Sequence, residues 1–267
     1  MAMFRSIHAV AGPIAAGLVL VAAGLAPAAA GELVAGPTAA AVAVVDGDTL
    51  VLDDGREVRL VGIQAPKLPL GRPNFQAWPL ADRAKAALER LTLGQRLKLS
   101  FGGRRIDRHG RLLAHLHDDA GRWIQGEMLR QGLARVYSFA DNRALVPEML
   151  ALERAARASR RGIWSHPYYR VLKASETPRF KGRFQLVEGR VLDASVIKGR
   201  AYLNFGPDWR TDFTVSMAPA RRRLFEAEGI EVRDYAGRRV RVRGWLKSYN
   251  GPMIEATHPE QIEVLGE

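Results

Sequence analysis

A chain of 267 residues with no cysteine has neither disulfides nor thiolate metal sites, so no cross-link of either kind supports its fold. An apolar share of 47% supports a buried core and excludes wholesale disorder. The formal net charge of +12 attracts polyanions such as nucleic acid, anionic lipid or acidic polysaccharide, without choosing among them.

The N-terminus has the pattern of an export signal. Arg5 supplies a positive start, an apolar run extends from Ala9 to Leu25, and Ala28, Ala29 and Ala30 offer a small-residue cleavage site. The expectation is a signal peptide over 1–30 and a periplasmic or secreted mature chain. An uncleaved N-terminal membrane anchor is the alternative, although the run is short for a span. Residues 31–40 are small, contain Pro and Gly, and are expected as a flexible leader.

Ordered structure is expected from Ala41. Ala41 to Val45 alternates like a strand, and Asp46-Gly47-Asp48 reads as a turn. Thr49 to Asp53 and Arg56 to Ile63 form two more strands around the hairpin dipeptide Asp54-Gly55. Pro66 to Pro79 is rich in proline and reads as a loop. Leu80 to Leu91 carries Ala84, Ala87, Leu88 and Leu91 at helical spacing. Strands are predicted at Arg96–Phe101 and Leu112–His117, on either side of the turn at Asp107 to Gly110. Helices are predicted from Trp123 to Gln131, stopped by Gly132, and from Pro147 to Arg160.

This order suggests a small barrel decorated with about three helices over 41–170. Residues 171–183 mix Lys, Arg, Ser and Pro and read as a linker. Over 184–267 the periodicity is β again, with five strands and a helix, Ala220 to Glu228, between the third and fourth. That is the order of an OB-fold barrel. The fold class is therefore expected to be α+β, mainly β with helices, with a second and smaller OB-like β-barrel.

Several segments carry chemistry. They are Val45-Asp46-Gly47-Asp48-Thr49, then Arg59 to Lys67 (RLVGIQAPK), then Asp107 to Ala114 (DRHGRLLA). Leu129 to Val136 and Gly162-Ile163-Trp164 follow at similar spacing. From about Ala41 to Ser165 the chain thereby resembles the staphylococcal nuclease family. The resemblance implies an OB-like barrel with a phosphodiesterase site. In that site calcium is held by two Asp side chains and a backbone carbonyl, a Glu handles the attacking water, and two Arg bind the phosphate.

Carried over by position, Asp48 corresponds to the first metal Asp and Asp46 to a supporting carboxylate. Ala65 supplies the backbone carbonyl. Arg59 and Arg111 correspond to the phosphate-binding, catalytic arginines. Arg108, His109, Lys67 and Tyr137 are the further substrate-binding candidates. Two positions depart from the pattern: Gln64 stands for the second metal Asp and Lys67 for the Glu. Gln64 offers an oxygen without charge, and Lys67 puts a cation where a base belongs. Calcium should then be weakly held, and loss of a general base costs about 10²–10⁴ in rate. Lys67 has two readings: an ammonium that partly stands in for the cation, beside the phosphate held by Arg59 and Arg111, or a side chain pointing into solvent.

Other features are open on sequence alone. His115 and His117 share a strand face but lack a third metal ligand. Arg239, Arg241 and Arg243 alternate, and with Arg221-Arg222-Arg223 and the aromatics Tyr202, Phe205, Trp209 and Phe213 they suggest a single-strand binding surface. The plainer reading is a solvated strand face and aromatic barrel filling. The expected function is an exported nuclease-like protein that binds DNA or RNA backbones, with weak or divergent hydrolysis. The alternatives are an inactive polyanion-binding module and an envelope protein that meets anionic lipid or a partner.

Overall fold

The computed structural model describes residues 32–266. The expected signal segment lies outside them. The first half comprises β1 (Val34–Asp46), β2 (Thr49–Leu52), β3 (Glu57–Leu60), β4 (Ile63–Gln64) and α1 (Ala81–Thr92). It continues with β5 (Arg96–Phe101), β6 (Leu112–His117), α2 (Ile124–Arg130), β7 (Arg135–Val136) and α3 (Val146–Ala158). Five strands close a barrel in the order β1-β2-β3-β6-β5, with β3 and β6 parallel. Its interior holds Leu50, Leu52, Val58, Leu60, Leu97, Leu99 and Leu116. α1 presents Ala84, Ala87, Leu88 and Leu91 to this core, the spacing that identifies it in the sequence.

The leader expected at 31–40 is corrected from Val34 onward. Residues 34–40 are the first part of β1 and pair with β5, from Val34 opposite Phe101 to Ala40 opposite Arg96. The second part of β1 pairs with β2. One strand serves two neighbours because it bends at register shifts, one of them between Ala35 and Thr38. Pro37 sits in that shift, where a missing N–H disturbs the ladder least.

The second half contains β8 (Leu172–Lys173), β9 (Phe184–Arg190), β10 (Asp193–Ile197), β11 (Arg200–Asn204) and β12 (Thr214–Met217). It ends with α4 (Pro219–Glu226), β13 (Arg239–Trp245), β14 (Lys247–Ser248), β15 (Pro252–Glu255) and β16 (Ile262–Val264). The strands expected to close a second barrel are paired in two sheets, ordered β10-β11-β12-β15-β14 and β16-β13-β9-β8. α4 falls between β12 and β13, as the spacing predicts. Leu203, Val215, Phe225, Val240, Val242 and Ile254 form a common core. The expected linker at 171–183 is also corrected. Leu172 pairs with Val187 and is buried, and a 3-10 segment, Ala174–Phe180, buries Thr177.

The two halves meet through a buried charge network. Arg243 is 1% exposed and donates to both oxygens of Glu153, itself fully buried on α3, at 3.0 Å each. Glu153 also accepts the Val136 N–H at 2.6 Å and an Arg157 N–H at 2.8 Å. Burial works against the Glu153 charge, but the Arg243 guanidinium holds its carboxyl below the usual range. Arg241 pairs with Glu188 and Glu263, and Arg239 with Glu188. The arginine stripe therefore shares one strand face, and each of its arginines is paired with a carboxylate.

Candidate functional site

The turn at Asp46-Gly47-Asp48 brings the first acidic group into the barrel wall. A Cβ on Gly47 would come within 2.7 Å of the side chains of Ala65 and Ala84, so only glycine lets the turn lie so close. Asp46 Oδ1 accepts the Asp48 N–H at 3.0 Å and sets the turn. Asp48 is fully buried, and its Oδ2 accepts the Ala65 N–H at 2.7 Å.

Lys67 is turned inward against the acidic turn. Its ammonium donates to Asp48 Oδ1 at 2.6 Å, to Asp48 Oδ2 at 2.8 Å and to Asp46 Oδ2 at 3.0 Å. Lys67 thus lies between the two carboxylates rather than out in solvent. Burial alone would push the Asp48 carboxyl up. The charges of Arg59 and Lys67 and the Ala65 N–H outweigh it and hold the group at about 2. Asp46 is pushed up, by burial and then by the charge of Asp48.

Arg59 differs from expectation as well. Its guanidinium donates to the carbonyls of Leu60 and Ile63 at 2.7 Å each and, at 3.4 Å, to that of Asp48. It also lies 3.3 Å from Asp48 Oδ2. It is an internal strut that ties β3 and β4 to the acidic turn, with little capacity left for a phosphate. Gln64 is likewise engaged: its Oε1 accepts from Arg135 Nε at 3.0 Å and from a second Arg135 nitrogen at 2.7 Å. Arg135 is buried and lies over the rings of Phe184 and Trp78.

This donor set does not fit calcium. A calcium ion asks for six to eight oxygens, several of them charged. Here the two carboxylates are satisfied by an ammonium, a guanidinium and a backbone N–H, and the Gln64 oxygen faces Arg135. Among the described residues no group of three or more His, Asp or Glu is placed to hold a metal. His115 is buried beside Trp123, and burial pushes it down to about 4, so it is a neutral structural side chain.

A cavity of about 600 Å³ lies next to this cluster. Four arginines line it, namely Arg59, Arg104, Arg108 and Arg111, against Asp107 and Asp141. The turn preceding β6 positions Arg111. Asp107 Oδ1 accepts the N–H groups of His109 and Arg111 at 2.8 and 3.0 Å, and Oδ2 accepts Arg111 Nε at 2.9 Å and a terminal nitrogen at 2.7 Å. One edge of the Arg111 guanidinium is thereby fixed while its other terminal nitrogen stays available. Arg108 and Arg104 are exposed, and Arg108 Nε donates to His109 Nε2 at 3.1 Å.

Tyr137, Phe139 and Trp245 form the aromatic part of the lining. The structure therefore brings together Arg59, Arg111, Arg108, His109 and Tyr137, and leaves Lys67, Asp46, Asp48, Gln64 and Ala65 outside the lining. Sequence reasoning missed Arg104, Phe139 and Trp245. The available signal for Trp245 is its place two residues beyond Arg243, on the same face of β13. Of the four aromatics expected on the second half's surface, Phe213 is buried and Phe205 packs against it. Tyr202 and Trp209 line a shallow pocket with Tyr249 and Met253.

The first half is thus a closed five-stranded mixed barrel that carries an acidic turn and an arginine-lined cavity. The family model for staphylococcal nuclease homologues matches residues 57–166. Protein ParB of Escherichia coli is 36% identical over 138 residues, which are 48% of this chain and 72% of that protein. A probable staphylococcal-like nuclease, CAN2 of Oryza sativa subsp. japonica, is 30% identical over 118 residues, 44% of this chain and 28% of that one. The chain belongs to the staphylococcal nuclease homologue family. Membership points to nucleic-acid binding or hydrolysis.

Proposed function

We propose that this protein binds nucleic acid by its phosphodiester backbone in the arginine-lined cavity, without calcium-driven cleavage. The observation that carries this is the pairing of two features. Arg104, Arg108 and Arg111 line the cavity, and guanidinium N–H groups suit the oxygens of a phosphate. The neighbouring carboxylates are already neutralised by Lys67. A concave site walled by aromatics suits a strand of nucleic acid better than the plane of an anionic bilayer. Export is part of the same reading and rests on the pattern of residues 1–30.

The test is fluorescence anisotropy with labelled oligonucleotides, in calcium and in chelator, with product analysis on gels. Equal affinity in both conditions and no products are expected, with log K falling linearly against log salt. Arg108→Ala/Arg111→Ala should weaken binding and flatten the salt slope by about one for each phosphate that is no longer neutralised. Products that appear only with calcium would overturn the reading.

A further inference from the structure

The sheet β10-β11-β12-β15-β14 carries a second pocket, of about 370 Å³, built entirely from the second half of the chain. Leu203, Val215 and Ile254 point from this sheet into the core. Strand alternation turns their neighbours Asn204, Thr214 and Met253 to the other face, where they line the pocket. Asp193, Asn204 and Thr214 stand opposite one another on three adjacent strands. Asn204 Nδ2 donates to Asp193 Oδ2, and the Thr214 hydroxyl donates to Asn204 Oδ1, at 3.3 Å each. Two turns add the rings of Trp209 and Tyr249, which are 49% and 64% exposed. The Trp209 turn is set by Asp208, which accepts the Arg210 N–H at 3.1 Å, and by Asp212, which accepts the Asp208 N–H at 2.9 Å. The Tyr249 turn seats against it at Gly251. That residue has φ +94°, and a Cβ there would come within 2.8 Å of the Asp212 carbonyl oxygen, so glycine is what lets the two turns close on one pocket.

The charge of this pocket is opposite to that of the arginine cavity. Among the described residues its lining holds one carboxylate, Asp193, and no cation. Arg210 lies over the Trp209 ring at 4.7 Å and pairs with Asp208, outside the lining. A phosphodiester strand would meet Asp193 with no guanidinium to offset it. A peptide adding to a sheet needs an open edge, whereas β11, β12 and β15 are paired on both sides. What the pocket offers is hydroxyl, amide and carboxylate groups beside open aromatic faces. A sugar hydroxyl is both donor and acceptor, an amide supplies both, and a carboxylate accepts. The apolar C–H face of a pyranose suits the electron-rich face of an aromatic ring. The volume is that of a small-molecule site. We propose that this pocket binds an uncharged saccharide, with Trp209 and Tyr249 on its ring faces and the Asp193, Asn204 and Thr214 row on its hydroxyls. The site is separate from the arginine cavity and does not depend on the phosphate reading.

The experiment titrates cellotetraose, maltotetraose and tetra-N-acetylchitotetraose into the full mature chain by calorimetry, at low and at high salt. At least one should bind, and its affinity should not change with salt, because no counterion is released. The sugar that binds best identifies the linkage and substituents recognised. Trp209→Ala should weaken that binding about tenfold or more, as truncation of an aromatic anchor does. Trp209→Phe should recover most of the loss. Tyr249→Ala, in the other turn, gives an independent reading if Trp209→Ala folds poorly. Oligothymidylate should bind Trp209→Ala as it binds the parent chain and should not displace the sugar. Binding of none of the three sugars up to about 10 mM overturns the proposal. Sugar affinity undiminished in both alanine variants overturns it too. Displacement of the sugar by oligothymidylate, or loss of oligothymidylate binding in Trp209→Ala, also overturns it and assigns the pocket to nucleic acid. Failure of the parent chain to bind oligothymidylate overturns the phosphate reading alone.

Discussion

With two carboxylates within hydrogen-bond reach of one ammonium, Lys67 does the electrostatic work that a metal would do in a set of oxygen ligands. The consequence is a stability that depends on acid. Asp48 is held at about 2 against its ordinary 3.8, so its contribution is complete above about 3.8 and is lost as pH falls through about 2. Asp46 is shifted the other way and offsets part of it. Lys67→Met removes the ammonium at nearly constant length. It should cost on the order of 3 kcal/mol at pH 7, as expected when one partner of a largely buried pair is lost. The penalty should shrink as pH falls, because protonated carboxylates need no counter-ion. Urea unfolding at pH 7 and pH 3 measures both; an equal penalty at the two values would show that Lys67 acts by packing. The sequence marks Asp48 as the match to a metal-binding Asp and Lys67 as a departure from the pattern, but not the two as partners. Their meeting depends on Gly47 letting the turn close on Ala65, and the parts that Arg59 and Gln64 play depend on carbonyls and a guanidinium supplied from elsewhere in the fold.

At the scale of the element, β1 is the least expected feature. Residues 34–40 are Val, Ala, Gly, Pro, Thr and two more Ala, with no alternation of large apolar and polar groups. Their strand character comes from β5, whose backbone they complete, and such pairing leaves no local signal. α1 is legible for the opposite reason, since the spacing of Ala84, Ala87, Leu88 and Leu91 is contained in one short segment. The pairing makes a direct expectation. A chain beginning at Ala41 leaves β5 with an open edge and the barrel unsealed on one side. Compared with a chain beginning at Glu32, it should melt at least about 5 °C lower, equivalent to roughly 2 kcal/mol for a protein of this size. Thermal melts followed by circular dichroism decide it; equal midpoints would mean that residues 34–40 merely lie along the barrel. The segment at 171–183 is hidden in the same way, because only Leu172 and Thr177 are buried in a stretch whose composition otherwise reads as loop.

For the molecule as a whole, the network around Glu153 links stability to the cavity. Glu153 stands on α3 in the first half, and Arg243 on β13 in the second; both are almost fully removed from water. Arg143 adds a second link, bonded to Glu260 and Glu228, and Ser138 a third, 2.7 Å from His258. A pair so deeply buried adds little net stability compared with apolar packing, but it penalises any other arrangement of the two halves. That is the property needed when Trp245 must reach a cavity whose other walls belong to the barrel. Glu153→Ala leaves Arg243 without its main partner and the Val136 N–H unsatisfied. It should cost about 3–5 kcal/mol. Unfolding should change from one transition to two as the halves lose their coupling. Affinity for an oligonucleotide should fall in the same variant, although Glu153 does not line the cavity. Calorimetry and anisotropy on Glu153→Ala test both consequences. Two melting transitions with undiminished affinity would show that Trp245 holds its place without the ion pair, through Phe184 and Tyr137 alone.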